Sequence, residues 1–227
     1  MIKVVTFIKR AAGMPVEAFQ SYWRERHPAV VTRLPGVRRY VQSHTLASAY
    51  AAGEPVLEPL YDGIAEVWAD STDALRAMTR SPAYAAVQAD EAEFIDRATM
   101  GIVVTEEHLI KDGAVPVDSV KRVTFLTRKP GLSVEEFQRH WREVHGPLAA
   151  KMGVLRRYVQ SHTRSSAYAA GRAPAWDGIA SAWFDSLHAI RAVDATPEHA
   201  AALADRGNFV SPGPTRAIVT REHVIVG

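Results

Sequence analysis

The chain has 227 residues, no cysteine and a formal net charge of +2, with 47% hydrophobic and 23% charged residues. This composition is typical of a globular protein with a buried core, and the lack of cysteine excludes disulfides, thiolate catalysis and cysteine-ligated metals. Basic residues are mixed with acidic ones, and neither a membrane-length apolar run nor an N-terminal signal pattern is present. We therefore expect a soluble, cytoplasmic protein with no nucleic-acid or membrane partner.

Two stretches of the sequence occur twice. The segment FQSYWRERH returns as FQRHWREVH, and the segment RRYVQSHT returns unchanged. Both repeats have the same spacing, because Trp141 lies 118 residues after Trp23 and Tyr158 lies 118 residues after Tyr40. A period this long predicts two copies of one small domain. We assign residues 1–112 and 119–227 to the copies and residues 113–118 to the linker.

Each copy has the predicted order β-α-β-β-α-β. A capping box of Ser133 and Glu136 begins the first helix of the second copy, and Ser71 and Ser186 begin the second helical region of each copy. The strands are runs rich in β-branched and aromatic residues, at residues 4–8, 37–45, 62–68, 102–110, 123–126, 155–163, 177–183 and 217–225.

This order predicts a four-stranded antiparallel sheet with both helices on one face. Because the other face must be buried, we predict an α+β fold in which two ferredoxin-like βαββαβ units pack sheet-to-sheet as a pseudo-dimeric α+β barrel. This internal pseudo-dimer leaves further homodimerisation open. From the third strand onward the spacing falls, since Asp177 follows Asp62 by 115 residues. The loop before that strand is therefore three residues longer in the first copy.

A histidine follows the apolar stripe of the first helix in both copies. Phe19, Trp23 and His27 have the i, i+4 spacing of one helical face, and His145 follows Trp141 in the same way. An imidazole on this face would point at the sheet, and its usual pKa near 6.5 suits proton transfer. We interpret His27 and His145 as catalytic candidates. The alternative is a buried histidine that ties the helix end to a backbone carbonyl.

A polar row follows one face of the second strand, where a plain core strand would be apolar. Period two places tyrosine, glutamine and histidine side by side there. We expect the tyrosines to be the acid/base partners of the helix histidines, and the glutamines and strand histidines to bind substrate. The alternative is that this face meets the other copy. The row consists of Tyr40, Gln42 and His44 in the first copy and Tyr158, Gln160 and His162 in the second.

Three further residues are candidates for substrate contact. Trp23 and Trp141 lie on the helix face that carries the histidine, with core packing as their alternative role. Glu66 lies in the middle of a strand, where a carboxylate is costly to bury without a partner. Where the copies differ, we expect their pockets to differ in size and polarity. The pairs in question are Tyr61/Trp176, Glu66/Ser181 and Tyr84/His199.

The string RKPGLSVEEFQRHWREVHGP at residues 128–147, followed by RRYVQ, resembles the EthD family of the dimeric α+β-barrel superfamily. The first copy departs from it in the turn, with AAGM in place of KPGL. The resemblance covers nearly all of each copy. It implies a ferredoxin-like unit that pairs into a barrel, with a small-molecule cavity between the helices and the sheet. Superfamily relatives include cofactor-free monooxygenases, dehydratases, cyclases, isomerases and haem-handling enzymes, so the fold leaves the reaction open.

We interpret the chain as an enzyme that moves protons on a small hydrophobic molecule, aromatic or polyketide-like, by dehydration, isomerisation, cyclisation or decarboxylation. No cofactor and no metal site is expected, because no ligand spacing supports one. One alternative is a non-catalytic ligand-binding accessory protein of a degradation pathway. Another is a monooxygenase, either cofactor-free or haem-dependent.

Overall fold

A computed structural model describes residues 1–50 and 58–227. By contacts the chain divides into two units, of which the first comprises Met1–Val104 with Glu222–Gly227 and the second comprises Thr105–Arg221. Each unit is thus one sequence copy, except that the end of the last strand of each copy belongs to the other unit. The longer loop predicted in the first copy falls on residues 51–57, which lie outside the described residues.

The first unit contains a three-stranded antiparallel sheet with β3 in the middle, paired with β1 on one side and β2 on the other. Pro28 begins a separate short helix, as its missing N–H group favours. Ser71 caps α3 by accepting a hydrogen bond from the backbone of Ala74. The elements are β1 Ile2–Ile8, α1 Val16–Glu25, α2 Pro28–Val31, β2 Arg39–Thr45, β3 Gly63–Ala69, α3 Thr72–Arg80, α4 Pro82–Glu91 and β4 Gly101–Lys111.

The second unit repeats this arrangement, with β7 between β5 and β6, and β8 pairs with the other side of β5 to give the predicted four strands. The predicted capping box of Ser133 and Glu136 is confirmed, and Ser186 caps α7. One turn of π-helix, Trp141–His145, joins α5 to α6. The elements are β5 Val120–Leu126, α5 Val134–His140, α6 Gly146–Ala150, β6 Arg157–Thr163, β7 Gly178–Phe184, α7 Leu187–Val193, α8 Pro197–Phe209 and β8 Arg216–Val226.

Among the described residues, the strands are hydrogen-bonded in the cyclic order β1-β3-β2-β8-β5-β7-β6-β4, which is the order of a closed barrel. The predicted βαββαβ order is confirmed in both copies, and the α+β barrel fold with it. Pro15 lies at the N-cap position of α1, one residue before the N1 position that proline usually takes, because α1 begins at Val16. None of the described helices is long and apolar enough to cross a membrane.

A tryptophan holds the first helix of each unit against the middle strand of its sheet. Trp23 is fully buried, and a methyl group added at Gly63 of β3 would lie 2.5 Å from its ring. Gly178 of β7 stands in the same relation to Trp141. Glycine is required at both positions because any side chain would push the indole away from the sheet. This contact sets the depth of the helix, and with it the position of the histidine four residues later.

Candidate functional site

A widened helical turn directs the helix histidine of each unit. In the first unit the backbone N–H of His27 donates to the carbonyl of Tyr22, five residues earlier, at 3.2 Å. In the second unit His145 ends the π-helical turn. Such turns are frequent at functional sites because they shift the side chains that follow them. The predicted location of His27 on the buried face is confirmed, since it is 5% exposed.

Each helix histidine is paired with an aspartate on the last helical segment of its unit. The distance from His27 Nδ1 to Asp90 Oδ2 is 2.6 Å, and that from His145 Nδ1 to Asp205 Oδ2 is 3.1 Å. A carboxylate only accepts, so Nδ1 carries the hydrogen in both pairs and Nε2 is the basic nitrogen. This is the His–Asp arrangement in which the carboxylate orients the imidazole for proton transfer.

Sequence reasoning missed both aspartates, although a signal for them existed. Asp205 follows Asp90 by 115 residues, which is the repeat spacing of the third strand and everything after it. The expected acid/base partners were the tyrosines, but the structure gives each helix histidine an aspartate instead.

The carboxylate of each pair has a second aromatic partner. The hydroxyl of Tyr22 donates to Asp90 Oδ1 at 3.0 Å. At the equivalent position of the second unit, His140 Nε2 lies 2.9 Å from Asp205 Oδ1, and the side-chain amide of Asn208 donates to the same oxygen at 3.1 Å. These hydrogen bonds fix the position of the carboxylate, and the carboxylate in turn fixes the orientation of the imidazole ring.

Burial controls the charge state of these pairs. It lowers the pKa of His27 and of His145 below the usual histidine value, while the adjacent carboxylate acts in the opposite direction. Burial would raise the pKa of Asp205, but hydrogen bonds from its histidine and asparagine partners outweigh burial and hold that pKa below its usual range. In the second unit the pair at neutral pH is a neutral imidazole beside a carboxylate, ready to accept a proton.

The polar row of the second strand lies beneath the helix, on the face that the sequence predicted. In the second unit the indole N–H of Trp141 donates to the Tyr158 hydroxyl at 3.1 Å. Gln160 donates to the backbone carbonyl of Trp141 at 2.8 Å and to the Tyr158 hydroxyl at 3.5 Å. Since the hydroxyl oxygen of Tyr158 accepts these bonds, its own hydrogen is available to a ligand. Burial raises the pKa of Tyr158, so it remains a neutral donor.

The first unit repeats this network with nearly the same distances. Trp23 Nε1 lies 3.2 Å from the Tyr40 hydroxyl. The amide of Gln42 donates to the Trp23 carbonyl at 2.7 Å and to the Tyr40 hydroxyl at 3.0 Å. Both amide hydrogens of Gln42 are thus used by the protein. A substrate-binding role for Gln42 or Gln160 would require one of these bonds to break.

The strand histidines are stacked and strongly desolvated. His44 lies flat against Trp23, with ring centroids 4.3 Å apart, and His162 lies against Trp141 at 4.5 Å. In each case Nε2 donates to the oxygen of the row glutamine at 3.0 Å. Burial, followed by the effect of His223 on His44 and of His108 on His162, lowers the pKa of both to about 3. They stay neutral near pH 7 and support the tryptophan from below.

Glu66 has the partner that its burial demands. Lys3 Nζ lies 2.9 Å from Glu66 Oε1, and both side chains are 2% exposed. Ser43 also reaches this carboxylate, at 3.5 Å. Glu66 therefore lies in a buried ion pair of the sheet, apart from the His27–Asp90 pair.

A cavity of about 380 Å³ lies between the helices and the sheet of the second unit, within the size range of small-molecule sites. His145 lines it, together with aromatic rings on several sides. Of the other predicted site residues, Trp141 and Tyr158 are in its wall, and Gln160 and His162 are not. Among the positions where the copies differ, His199 lines the cavity, while Trp176 and Ser181 lie outside its lining.

Apolar side chains of different size line the corresponding region of the first unit, where Phe184 of the cavity wall is replaced by the smaller Ala69. Three alanines in the wall of the cavity correspond, through the repeat, to three valines that belong to the apolar cluster around Tyr40. Each exchange adds two carbon atoms where the second unit has open space. The pairs are Ala149/Val31, Ala182/Val67 and Ala202/Val87.

The repeat coincides with a known domain. A model of the EthD domain matches residues 11–98 and again residues 129–213. The chain belongs to the EthD family. Each EthD domain carries one His–Asp pair and one tyrosine–glutamine–histidine row. No curated protein matches the chain by sequence.

Solved structures resemble the tandem EthD chain over almost its whole length. An anthrone oxidase-like protein has a TM-score of 0.67 at 13% identity, covering 100% of this chain and 94% of its own. A protein from Lactobacillus acidophilus, provisionally named a monooxygenase, has a TM-score of 0.54 at 10% identity, with coverages of 99% and 93%. A mutant chlorite dismutase from Candidatus Nitrospira defluvii has a TM-score of 0.50 at 11% identity, with coverages of 96% and 90%. At these identities the likeness establishes the fold.

Neither EthD domain brings together a recognisable metal site within the part of the chain that the structure describes. No group of three or more histidine, aspartate or glutamate side chains is arranged to hold a metal ion there. The second domain does bring together a buried imidazole, a neutral hydroxyl donor and a cavity with aromatic walls.

Proposed function

We propose that the second EthD domain is an active centre that moves protons on a small hydrophobic, aromatic or polyketide-like molecule. The observation that carries this proposal is the position of His145, which lines an aromatic cavity while Asp205 holds its other ring nitrogen at 3.1 Å. A base that is neutral, oriented and next to a ligand-sized space satisfies the geometric requirements for general acid–base catalysis.

The chemistry follows from the protonation states. Nε2 of His145 takes a proton from an acidic C–H or O–H bond of the ligand, and the electron pair of that bond stays on the ligand as an enolate or phenolate. The Tyr158 hydroxyl donates a hydrogen bond to the oxygen that gains charge. The imidazolium then returns the proton. Return to another carbon gives an isomer, and return to a departing hydroxyl gives water and a dehydrated product.

We assign this activity to the second domain alone. The first domain has an equivalent pair, His27 and Asp90, and an equivalent hydroxyl, Tyr40. The cavity described above lies in the second domain, and three alanines of its wall are valines in the first, so the proposal places the substrate in the second domain. In this proposal His27 and Tyr40 keep a structural role, which is the alternative that the sequence left open for the helix histidine.

Oxygenation is the second candidate, and the chemistry of the same site favours it. An enolate or phenolate of a polycyclic aromatic compound is electron-rich enough to react with molecular oxygen. Two of the structural neighbours are named for oxidation, one as anthrone oxidase-like and one provisionally as a monooxygenase. In that case His145 would supply the same first step, and oxygen would accept the electrons afterwards.

Deuterium exchange tests the proposal without knowledge of the natural substrate. The wild-type protein is incubated in D₂O with a panel of enolisable aromatic ketones that begins with 2-tetralone, and the loss of the C–H signals is followed by NMR. We expect enzyme-dependent exchange that falls by about 10²- to 10⁴-fold in His145→Gln. The exposed His188 supplies the control, His188→Gln, which should exchange at the wild-type rate.

A second variant separates loss of the base from loss of the cavity. The triple substitution Ala149→Val, Ala182→Val and Ala202→Val gives the second domain the side chains of the first and should also abolish exchange. An oxygen electrode run beside the NMR assay identifies oxygenation by oxygen uptake. Equal exchange by the wild type and His145→Gln would overturn the proposal, and binding of the ketones without exchange would favour an accessory ligand carrier.

A further inference from the structure

Two arginines line the cavity of the second domain, where the proposed hydrophobic substrate alone would need none. Arg122 lies on β5 and Arg206 lies on α8, and both are in the cavity wall. The guanidinium of Arg122 lies 5.4 Å from the ring centre of Phe184, which lines the same cavity. A hydrophobic cavity that also carries two cations is suited to a ligand with an apolar body and an anionic group.

The protein neutralises only part of this positive charge. Arg122 is 3.5 Å from Asp194 Oδ1, a long contact to a side chain that is 54% exposed. His199 Nε2 reaches the same carboxylate oxygen, also at 3.5 Å. Within the described residues, the hydrogen bond of the Arg206 guanidinium goes to the uncharged hydroxyl of Thr215. Two guanidinium groups and one carboxylate leave the wall with a net charge of about +1.

The two cations also act on one another. Burial, and then the charge of Arg122, lowers the pKa of Arg206 below its usual value. Both effects oppose a charged guanidinium at this place. An anion in contact with both arginines would reverse them, because it supplies the opposite charge that the half-buried Arg206 lacks.

The first domain has no cation at either of the equivalent positions. Through the repeat, Arg122 corresponds to Val4 and Arg206 corresponds to Glu91. Glu91 reverses the charge, and burial raises its pKa. The arginines thus occur in the domain whose cavity is described above, and the equivalent positions of the first domain carry no cation. This correlation links them to the ligand rather than to the fold that the two copies share.

We propose that the cavity of the second domain binds a small aromatic carboxylate, whose anionic group lies against Arg122 and Arg206 and whose ring contacts the apolar wall. This inference rests on the proposed function only in placing the ligand in the same cavity as His145. A single carboxylate matches the net charge of the wall, and two guanidinium groups offer it the paired N–H donors that carboxylates favour.

Isothermal titration calorimetry with two probes of the same shape tests this proposal. The probes are 2-naphthoate, which is an anion at pH 7.5, and 2-naphthamide, which is neutral. We expect the wild type to bind the anion more tightly. Arg206→Met and Arg122→Met should each weaken 2-naphthoate by about 10- to 100-fold and leave 2-naphthamide nearly unchanged. Arg139→Met removes an exposed arginine of the same domain and should leave both affinities unchanged.

Thermal unfolding of each variant shows whether it is folded, and the retained binding of 2-naphthamide shows that its cavity is intact. Equal affinity of the wild type for the two probes would overturn the inference, as would an equal loss of both probes in the arginine variants. Failure of the proposed function is distinguishable, because it would appear as unchanged deuterium exchange in His145→Gln while 2-naphthoate still bound through the arginines.

Discussion

The strand histidines predict a specific loss of stability in mild acid. His44 and His162 are 4% and 3% exposed, and burial lowers the pKa of each to about 3. In the unfolded chain the usual value is about 6.5. Below pH 6.5 the unfolded state therefore binds protons that the folded state does not bind. The free energy of unfolding has its full value above that pH and falls as the pH drops toward 3.

The size of the effect follows from the two pKa values. At pH 5 an unfolded histidine is almost fully protonated and the buried one is neutral, which costs about 2 kcal/mol per site relative to pH 8. The two sites together should lower the free energy of unfolding by about 4 kcal/mol between pH 8 and pH 5. His27 and His145 change the free energy of unfolding in the same direction. The contribution of the strand histidines is therefore the difference between the wild type and a variant that lacks them.

Urea unfolding at pH 8 and pH 5, followed by tryptophan fluorescence, measures this difference. The double substitution His44→Gln and His162→Gln removes the titrating groups, and we expect the stability lost between the two pH values to shrink by about 4 kcal/mol. The exposed His188→Gln should retain the full wild-type dependence. If the double variant loses as much stability as the wild type, the reasoning from burial is refuted.

Three further outcomes are expected. Asp205→Asn removes the negative charge that raises the pKa of His145, so deuterium exchange of 2-tetralone should slow. The acidic limb of its pH profile, already below 6.5, should move to lower pH, and an unchanged profile would exclude an orienting role for Asp205. Gly178→Ala drives a methyl group into the adjacent indole and should lower the melting temperature by several degrees, whereas Gly153→Ala, which has nothing within 4 Å, should not. Glu66→Leu removes the carboxylate that lies 2.9 Å from the buried Lys3 Nζ and should lower the free energy of unfolding by up to about 3–5 kcal/mol in urea unfolding; a loss below about 1 kcal/mol would contradict a stabilising role for this ion pair.

Local signals predicted most of the fold, and a repeat predicted its duplication. The capping box at Ser133 depends on two residues three positions apart, so the sequence displays it directly. The helical phase of His27 is equally local. The row from Tyr40 to His44 was assigned to the correct face because strand periodicity is local as well.

The parts of the site that sequence reasoning missed depend on contacts between distant positions. His27 and Asp90 are 63 residues apart, and no local pattern connects them. Three alanines of the cavity wall, in three different elements, stand where the first copy has valine. Each exchange is conservative when read alone, and its effect on volume becomes visible only when the three side chains are seen to face one space.

The exchange of strand ends between the units has a consequence for biosynthesis. Ile225 and Val226 pack against the apolar cluster of the first unit, whose other described members lie in residues 2–104. More than a hundred residues must be translated after Val104 before those two side chains exist, which takes on the order of ten seconds. During that interval the nascent first domain exposes an unfinished apolar surface, so we expect chaperones that recognise such surfaces to bind it on the ribosome.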